Sequence, residues 1–234
     1  MYYDFYLNRH VGRMARMQAK HLVPALAAPA LRGLPQNPKI LEIGAGRGDF
    51  AEYLKCIEGG VRYTGIEAND VLADRLTERG FHICRAVIPP LPAQLPKGEF
   101  DLVIMCHLFE HFRDWQEAAG VLGEISKLLK PGGRLLLFHP DYMDWGADYF
   151  DGDYSHSLIL TRNRINNLVS DNGFKVIHAD SFRSFFRSAK PLFWLLSKSM
   201  NVFFGALLNI TGNRKFSKPK IAFNRNLLTV CEKI

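Results

Sequence analysis

Residues 39–50, K-I-L-E-I-G-A-G-R-G-D-F, confine this chain more tightly than any other stretch. A short apolar run (Ile40, Leu41, Ile43) meets three glycines spaced by two, Gly44, Gly46 and Gly48, and a helical pattern opens after them. Strand, glycine turn and helix is the layout in which backbone amides approach a nucleotide at the carboxyl end of a parallel strand. The dinucleotide fingerprint GxGxxG needs its third glycine where Asp49 stands, so the spacing here is GxGxG instead. Glu42 precedes the first glycine by two. A carboxylate there repels a pyrophosphate and suits a ligand carrying an ammonium group. No lysine follows the glycines as a P-loop requires, which excludes that phosphate site.

The rest of the chain repeats the strand–helix alternation. Strands are expected at Lys39–Ile43, Val61–Glu67, Phe81–Val87, Phe100–Cys106, Arg134–Phe138, Phe174–Ala179 and Leu227–Cys231. Helices are expected at Asp49–Ile57, Asp70–Arg79, Trp115–Leu129 and Thr161–Asn172, with one or two more over Val11–Leu31, broken near Pro24. Near-continuous apolar strands between helices imply a parallel sheet covered on both faces. The chain then divides into a helical prefix (1–38), an α/β core (39–181), an insertion (182–224) and a last core strand (225–234).

Charge is uneven. Residues 1–41 carry +5, residues 42–180 carry −7 and residues 181–234 carry +9, with no acid between Ser181 and Cys231. An anionic partner or surface suits the basic ends. Four dispersed cysteines, Cys56, Cys84, Cys106 and Cys231, form neither a CxxC pair nor a disulfide framework, and a reducing cytosol is expected. The N-terminus shows no signal-peptide pattern, though Arg9, Arg13 and Arg16 lie in an acid-poor helix of the kind found in transit peptides. Pro191–Ile210 has membrane-spanning length but is interrupted by Lys198, Asn201 and Asn209.

Four motifs in order resemble the class I S-adenosylmethionine-dependent methyltransferases: E-I-G-A-G-R-G (42–48), Glu67 at the end of the second strand, F-D-L-V-I-M-C-H-L-F-E-H (100–111) and L-L-K-P-G-G-R-L-L-L (128–137). The resemblance covers residues 38–180 and the last strand. It implies a seven-stranded, mostly parallel Rossmann-like sheet with helices on both faces, an N-terminal helical prefix and a helical lid inserted before the last strand. It also implies S-adenosyl-L-methionine as cofactor. Gly44, Ala45, Gly46 and Gly48 would admit its methionine and ribose parts, with Glu42 near the ammonium group. Glu67 would take the ribose diol, since a carboxylate accepts two hydrogen bonds. Ala68 and Asn69 would touch adenosine, Ala86 and Val87 would lie by adenine, and His107 and Leu108 would line the methionine end. An aspartate common near the adenine in this family has no counterpart at 86–87.

The acceptor is addressed by other residues. D-G-D-Y-S-H (151–156), followed by T-R-N-R-I-N-N-L-V-S-D-N-G-F (161–174), resembles a pattern in glycan- and glycolipid-associated methyltransferases, with Ser155 where those carry threonine. This points to O-methylation of a small-molecule, sugar or lipid-linked hydroxyl. His139 and His156 are the expected catalytic bases, while His111, in the turn after the fourth strand, is given a structural or cofactor-side role. No metal is expected. Asp141, Asp151 and Asp153 are the acids that would supply ligands for one. The base-methylating motif [DNS]-P-P-[YFW] is replaced by Cys106-His107-Leu108-Phe109, which disfavours nucleic-acid amino methylation. Residues 182–220, aromatic and basic, read as a lid over the pocket, as a peripheral contact at the inner face of a membrane, or as an RNA-binding face. An RNA-directed methyltransferase and a cofactor-binding scaffold without transfer activity are the alternatives to the hydroxyl-methylating enzyme.

Overall fold

A computed structural model describes residues 13–183, 186–187, 191–213 and 216–234. The strands are β1 (Lys39–Ile43), β2 (Arg62–Glu67), β3 (Ile83–Arg85), β4 (Phe100–Cys106), β5 (Leu129–Pro140), β6 (Phe174–Arg183), β7 (Phe186–Arg187) and β8 (Arg225–Lys233). They form one sheet in the order β3-β2-β1-β4-β5-β8-β6-β7. β1 to β5 run parallel, and β8 lies antiparallel between β5 and β6. The mostly parallel sheet is thus as expected; the place of the last strand between β5 and β6 is added by the structure. The eighth strand is the two-residue β7, which turns back on β6 by pairing Phe182 with Arg187 and Arg183 with Phe186.

Alternation along the strands sends side chains to two cores. Leu41, Ile43, Val103, Met105, Leu135 and Leu137 pack with Val121, Leu122 and Ile125 of α4 (Trp115–Leu128) and with Ile165 and Val169 of α7 (Arg162–Asp171). Ile40, Leu102, Ile104, Leu136 and Phe138 pack on the other face. Their partners are Val23, Leu26, Ala27 and Ala30 of α1 (Arg13–Leu31) and Phe50 and Leu54 of α2 (Asp49–Lys55). Both faces of β1, β4 and the 135–138 part of β5 are therefore largely dry, which is why these segments read as near-continuous apolar runs. α3 (Asp70–Glu78) adds Ala73 and Leu76 beside the glycine turn.

Several boundaries moved. α1 runs through Pro24 and Pro29 without a break. Each proline removes one amide bond, but the apolar stripe at 23, 26, 27 and 30 is buried on the sheet, and that burial holds the helix across both. Residues 11–12 of the expected prefix helix lie outside the described residues. β3 shrinks to three residues at the sheet edge, and β5 begins at Leu129, ahead of the Pro-Gly-Gly that was expected to separate it from α4. β6 continues to Arg183, past the boundary expected at 181.

The insertion contains α8 (Pro191–Thr211) and α9 (Ser217–Ala222). Phe204 stacks on Phe216 and Phe223 at 6.5 and 6.3 Å between ring centres. The Asn201 amide donates to Lys220 O at 3.0 Å and to Asn224 Oδ1 at 2.7 Å. Among the described residues, no helix is long and apolar enough to cross a membrane.

Candidate active site

The turn after β1 is shaped from two sides. The Gly44 and Ala45 amides both donate to Ile66 O, at 2.9 and 3.0 Å, which fastens the turn to β2. Gly46 and Gly48 have φ of 55° and 78°, in the left-handed region where a side chain is strained. A Cβ on Gly48 would lie 2.4 Å from Leu76 Cδ2, whereas one on Gly46 would meet nothing nearer than Gly44 O at 3.9 Å. The turn is closed by packing at Gly48 and open at Gly46.

Glu67, buried at the end of β2, holds this turn to the next loop. Its Oε2 accepts from the Gly46 amide at 2.7 Å and its Oε1 from the Asn69 amide at 2.8 Å. Each oxygen keeps a second lone pair. Asn69 caps α3 by accepting from the Leu72 amide at 3.0 Å. Ala68 is exposed, the Ala86 amide donates to Glu67 O at 3.3 Å, and Val87 is exposed beyond it.

Glu42 is 3% exposed and accepts from the Tyr63 hydroxyl at 2.6 Å. Burial raises its pKa to about 8, with Asp49 and Glu67 adding to the rise and the Tyr63 bond only partly opposing it. By its place in the sequence alone this carboxylate reads as a fixed negative charge. In the fold it is protonated near pH 7 unless a cation lies beside it.

His107 follows β4 with φ 50°, its amide donating to Phe138 O at 2.8 Å and its ring edge-on to Phe138 at 5.1 Å. Leu108 lies across the glycine turn, its Cδ2 3.3 Å from where a Gly44 Cβ would stand. The fold thus gathers Glu42, Gly44, Gly46, Glu67, Asn69 and Leu108 at the carboxyl ends of β1, β2 and β4.

The two histidines singled out as bases part company. His139 was placed just beyond the fifth strand, but β5 runs to Pro140 and His139 is fully buried inside it. Its Nδ1 is 2.9 Å from Pro140 O, its Nε2 has no partner among the described residues, and burial lowers its pKa. His156 lies partly exposed in the loop before α7. Its Nδ1 is 2.6 Å from Tyr149 O, and its ring is 5.0 Å from that of His111.

Sequence reasoning missed what His156 joins. Glu110 and His111 sit in a single 3-10 turn, Phe109–His111, directly after β4. Glu110 is fully buried, with Oε1 3.3 Å from His107 Nδ1 and Oε2 without a partner. Burial by itself would raise its pKa, but His107 and His111 outweigh it and the net direction is down. His111 Nδ1 is 2.8 Å from Ser155 Oγ, and that hydroxyl donates to Asp153 Oδ1 at 2.6 Å. The adjacent Glu-His pair after a β-strand was visible in the sequence. Its closeness to a residue 45 positions on was not.

The acids of the 141–153 loop have other work. Asp141 pairs with Arg225 and caps α5 (Tyr142–Trp145) by accepting from the Met143 amide. Asp144 accepts from Arg183 at 2.5 and 2.7 Å and from Lys198 at 2.7 Å, and Asp148, which opens α6 (Asp148–Asp151), accepts from Lys220 at 2.6 Å. Asp153 accepts from the Ser155 amide and hydroxyl, and Asp151 is exposed. Asp141, Asp151 and Asp153 therefore make no shared ligand group, and much of the loop's negative charge is matched to the basic insertion. Among the described residues, the group that offers three ligand atoms within 4.8 Å is Glu110, His111 and His156.

The sequence model of a family described as a methyltransferase domain matches residues 12–179. The chain is 34% identical over 109 residues to the demethylmenaquinone methyltransferase of Thermus thermophilus, covering 44% of this chain and 48% of that protein. It is 22% identical over 204 residues to a malonyl-[acyl-carrier protein] O-methyltransferase of a Paenibacillus strain, covering 76% of this chain and 73% of that one. The chain spans about half the length of the first curated relatives it matches. A SAM-dependent methyltransferase structure from Archaeoglobus fulgidus superposes with TM-score 0.67 at 18% identity, covering 100% of each chain. Sheet order, glycine turn and family match agree: the chain belongs to the methyltransferase-domain family and carries a Rossmann-like methyltransferase fold.

Proposed function

We propose that the chain methylates a hydroxyl oxygen of a small-molecule, sugar or lipid-linked acceptor, and that the hydroxyl is activated at Glu110, His111 and His156. The observation that carries this is the pair of half-exposed imidazoles grouped with a buried carboxylate, His111 and Glu110 from the turn that leaves β4 beside the glycine turn and His156 from the loop before α7. A similar protein is named as an O-methyltransferase, which supports oxygen as the acceptor atom.

Bound S-adenosylmethionine supplies an electrophilic methyl group on its sulfonium. The open backbone at Gly46, flanked by Gly44, Ala45 and Gly48, admits its methionine and ribose parts, and the spare lone pairs of Glu67 accept the ribose hydroxyls. Glu42 ionises against the ammonium group. Ala68 and Asn69 border the adenosine, Ala86 and Val87 the adenine, and His107 and Leu108 the methionine end. His139, buried inside β5, supports the strand end without touching the acceptor. The acceptor oxygen attacks the methyl carbon in line, the C–S bond breaks with its electron pair left on sulfur, and the hydroxyl proton is lost.

The insertion favours an acceptor met at a membrane surface. On α8, Leu192, Leu195, Leu196, Val202, Phe203 and Ile210 are exposed at helical spacing, while Ser197, Lys198 and Asn201 face the protein. An apolar face turned outward, with lysines and arginines nearby in sequence, has the composition of an interfacial helix. Sheet, lid and membrane contact would then act on one acceptor.

Incubation with S-adenosylmethionine and panels of hydroxyl, amine and carbon acceptors tests the reading. S-adenosylhomocysteine is expected with hydroxyl acceptors, with the methyl group on oxygen by mass spectrometry. Turnover confined to amine or carbon acceptors overturns it.

A further inference from the structure

Glu110, His111 and His156 present three donor atoms within 4.8 Å of one another. The hydrogen bonds around them fix which atoms are free. Tyr149 O can only accept, so at 2.6 Å His156 Nδ1 carries the proton and its Nε2 is a bare lone pair. Ser155 Oγ spends its own proton on Asp153, so at 2.8 Å it accepts from His111 Nδ1–H, and His111 Nε2 is bare as well. Glu110 Oε2 is buried with no partner among the described residues. A buried carboxylate oxygen without a partner thus belongs to one group with two imidazoles that each keep a free nitrogen, an arrangement that costs energy unless a cation is shared. Each imidazole is also oriented through its other nitrogen by a carbonyl or by a hydroxyl–carboxylate pair, the outer support that metal-binding histidines have.

We propose that Glu110, His111 and His156 bind one divalent first-row transition ion. Two imidazoles and one carboxylate suit zinc, manganese or iron(II) and leave coordination positions open. Bonds of about 2.1 Å bring ligand atoms to roughly 3–3.5 Å from each other, so the group closes slightly around the ion. His111 thereby takes a role that the sequence did not give it, and the loop acids Asp141, Asp151 and Asp153 take none. Resting on the hydroxyl-methylating reading, the ion's function is to hold the acceptor oxygen and lower the pKa of its hydroxyl. The proton passes to water, the oxygen attacks the methyl carbon, and the C–S electron pair stays on sulfur.

The test uses the full chain without an affinity tag, stripped with a chelator and titrated with Co²⁺ or Mn²⁺. About one equivalent is expected by equilibrium dialysis, with visible Co²⁺ bands. His156→Ala and Glu110→Gln are expected to weaken uptake at least tenfold while S-adenosylmethionine affinity, read by calorimetry, stays within threefold. His156→Asn is read if the alanine variant fails to fold. Asp151→Asn is expected to bind the ion as the parent does. Uptake below a tenth of an equivalent, or unchanged uptake in the His156 and Glu110 variants, overturns the site. So does full hydroxyl methylation by the stripped chain. Tight uptake with methylation only of amines leaves the site standing and removes the hydroxyl reading alone.

Discussion

Glu42 shows how a single residue can be placed correctly and read with the wrong charge. Its position before the glycine turn was plain, and that position excluded a pyrophosphate ligand by repulsion. Burial reverses the premise, because the carboxyl titrates at about 8 instead of 4.5. Between those values the folded chain holds a proton that the unfolded chain has lost. Stability therefore falls as pH rises from about 4.5 and levels off above 8. Glu42→Gln keeps an acceptor for the Tyr63 hydroxyl and abolishes the titration. Its stability relative to the parent is expected to grow between pH 5 and pH 8, reaching about 2 kcal/mol or more. Chemical denaturation at several pH values measures the difference. Cofactor binding at pH 7 should also release a proton, seen as a binding enthalpy that changes with buffer. A flat difference together with a buffer-independent enthalpy would refute the assignment.

At the scale of elements, strands with both faces buried were legible because they are mostly apolar: β1 and β4 match the expected ranges. β3, half buried at the edge, and α1, which carries two prolines on a buried stripe, were misjudged because packing decides them more than local preference does. The glycine turn and Glu67 were legible because their spacing is local. The Glu110–His111–His156 group was not, since it depends on a loop folding back onto the turn after β4. The same holds for the ion pairs between loop and insertion. Arg183 is 1% exposed at the end of β6, and its partner Asp144 also accepts from Lys198 of α8 and from the Arg225 amide of β8. Burial alone would raise the pKa of Asp144, but Arg183, Lys198 and the Arg225 amide bring it down to about 2. That contribution is complete above about pH 4 and disappears as pH falls toward 2. Asp144→Ala leaves Arg183 buried without its carboxylate and is expected to cost about 3–5 kcal/mol. Replacing both residues by apolar ones of similar size should recover most of the loss. Thermal denaturation of the single and double variants measures it, and a single variant within 1 kcal/mol of the parent would contradict the network.

For the whole molecule, the pairing of loop and insertion changes how the net charge of +7 is read. Arg183, Lys198, Lys220 and Arg225 are matched to Asp141, Asp144 and Asp148, so the basic C-terminal block is in part an internal counterpart of the acidic loop. The pairs also orient α8. Lys198 points inward to Asp144, and the opposite side of the helix shows Leu192, 70% exposed, through Ile210, 81% exposed. A membrane contact through α8 must therefore depend first on apolar insertion and only second on charge. Removing Leu195, Val202 and Phe203 together by serine substitution takes away about 1–2 kcal/mol per side chain, and binding to vesicles should fall by about a hundredfold or more. Salt at 0.5 M should weaken flotation of the parent without abolishing it, because screening acts only on the electrostatic share. S-adenosylmethionine affinity should be unchanged, since these side chains are on the solvent side of the insertion. Flotation on vesicles containing about one-third anionic lipid, with parent and triple variant side by side, decides the matter. Equal flotation of the two, or none by the parent, removes the membrane and leaves α8 as a lid whose apolar face meets the acceptor itself.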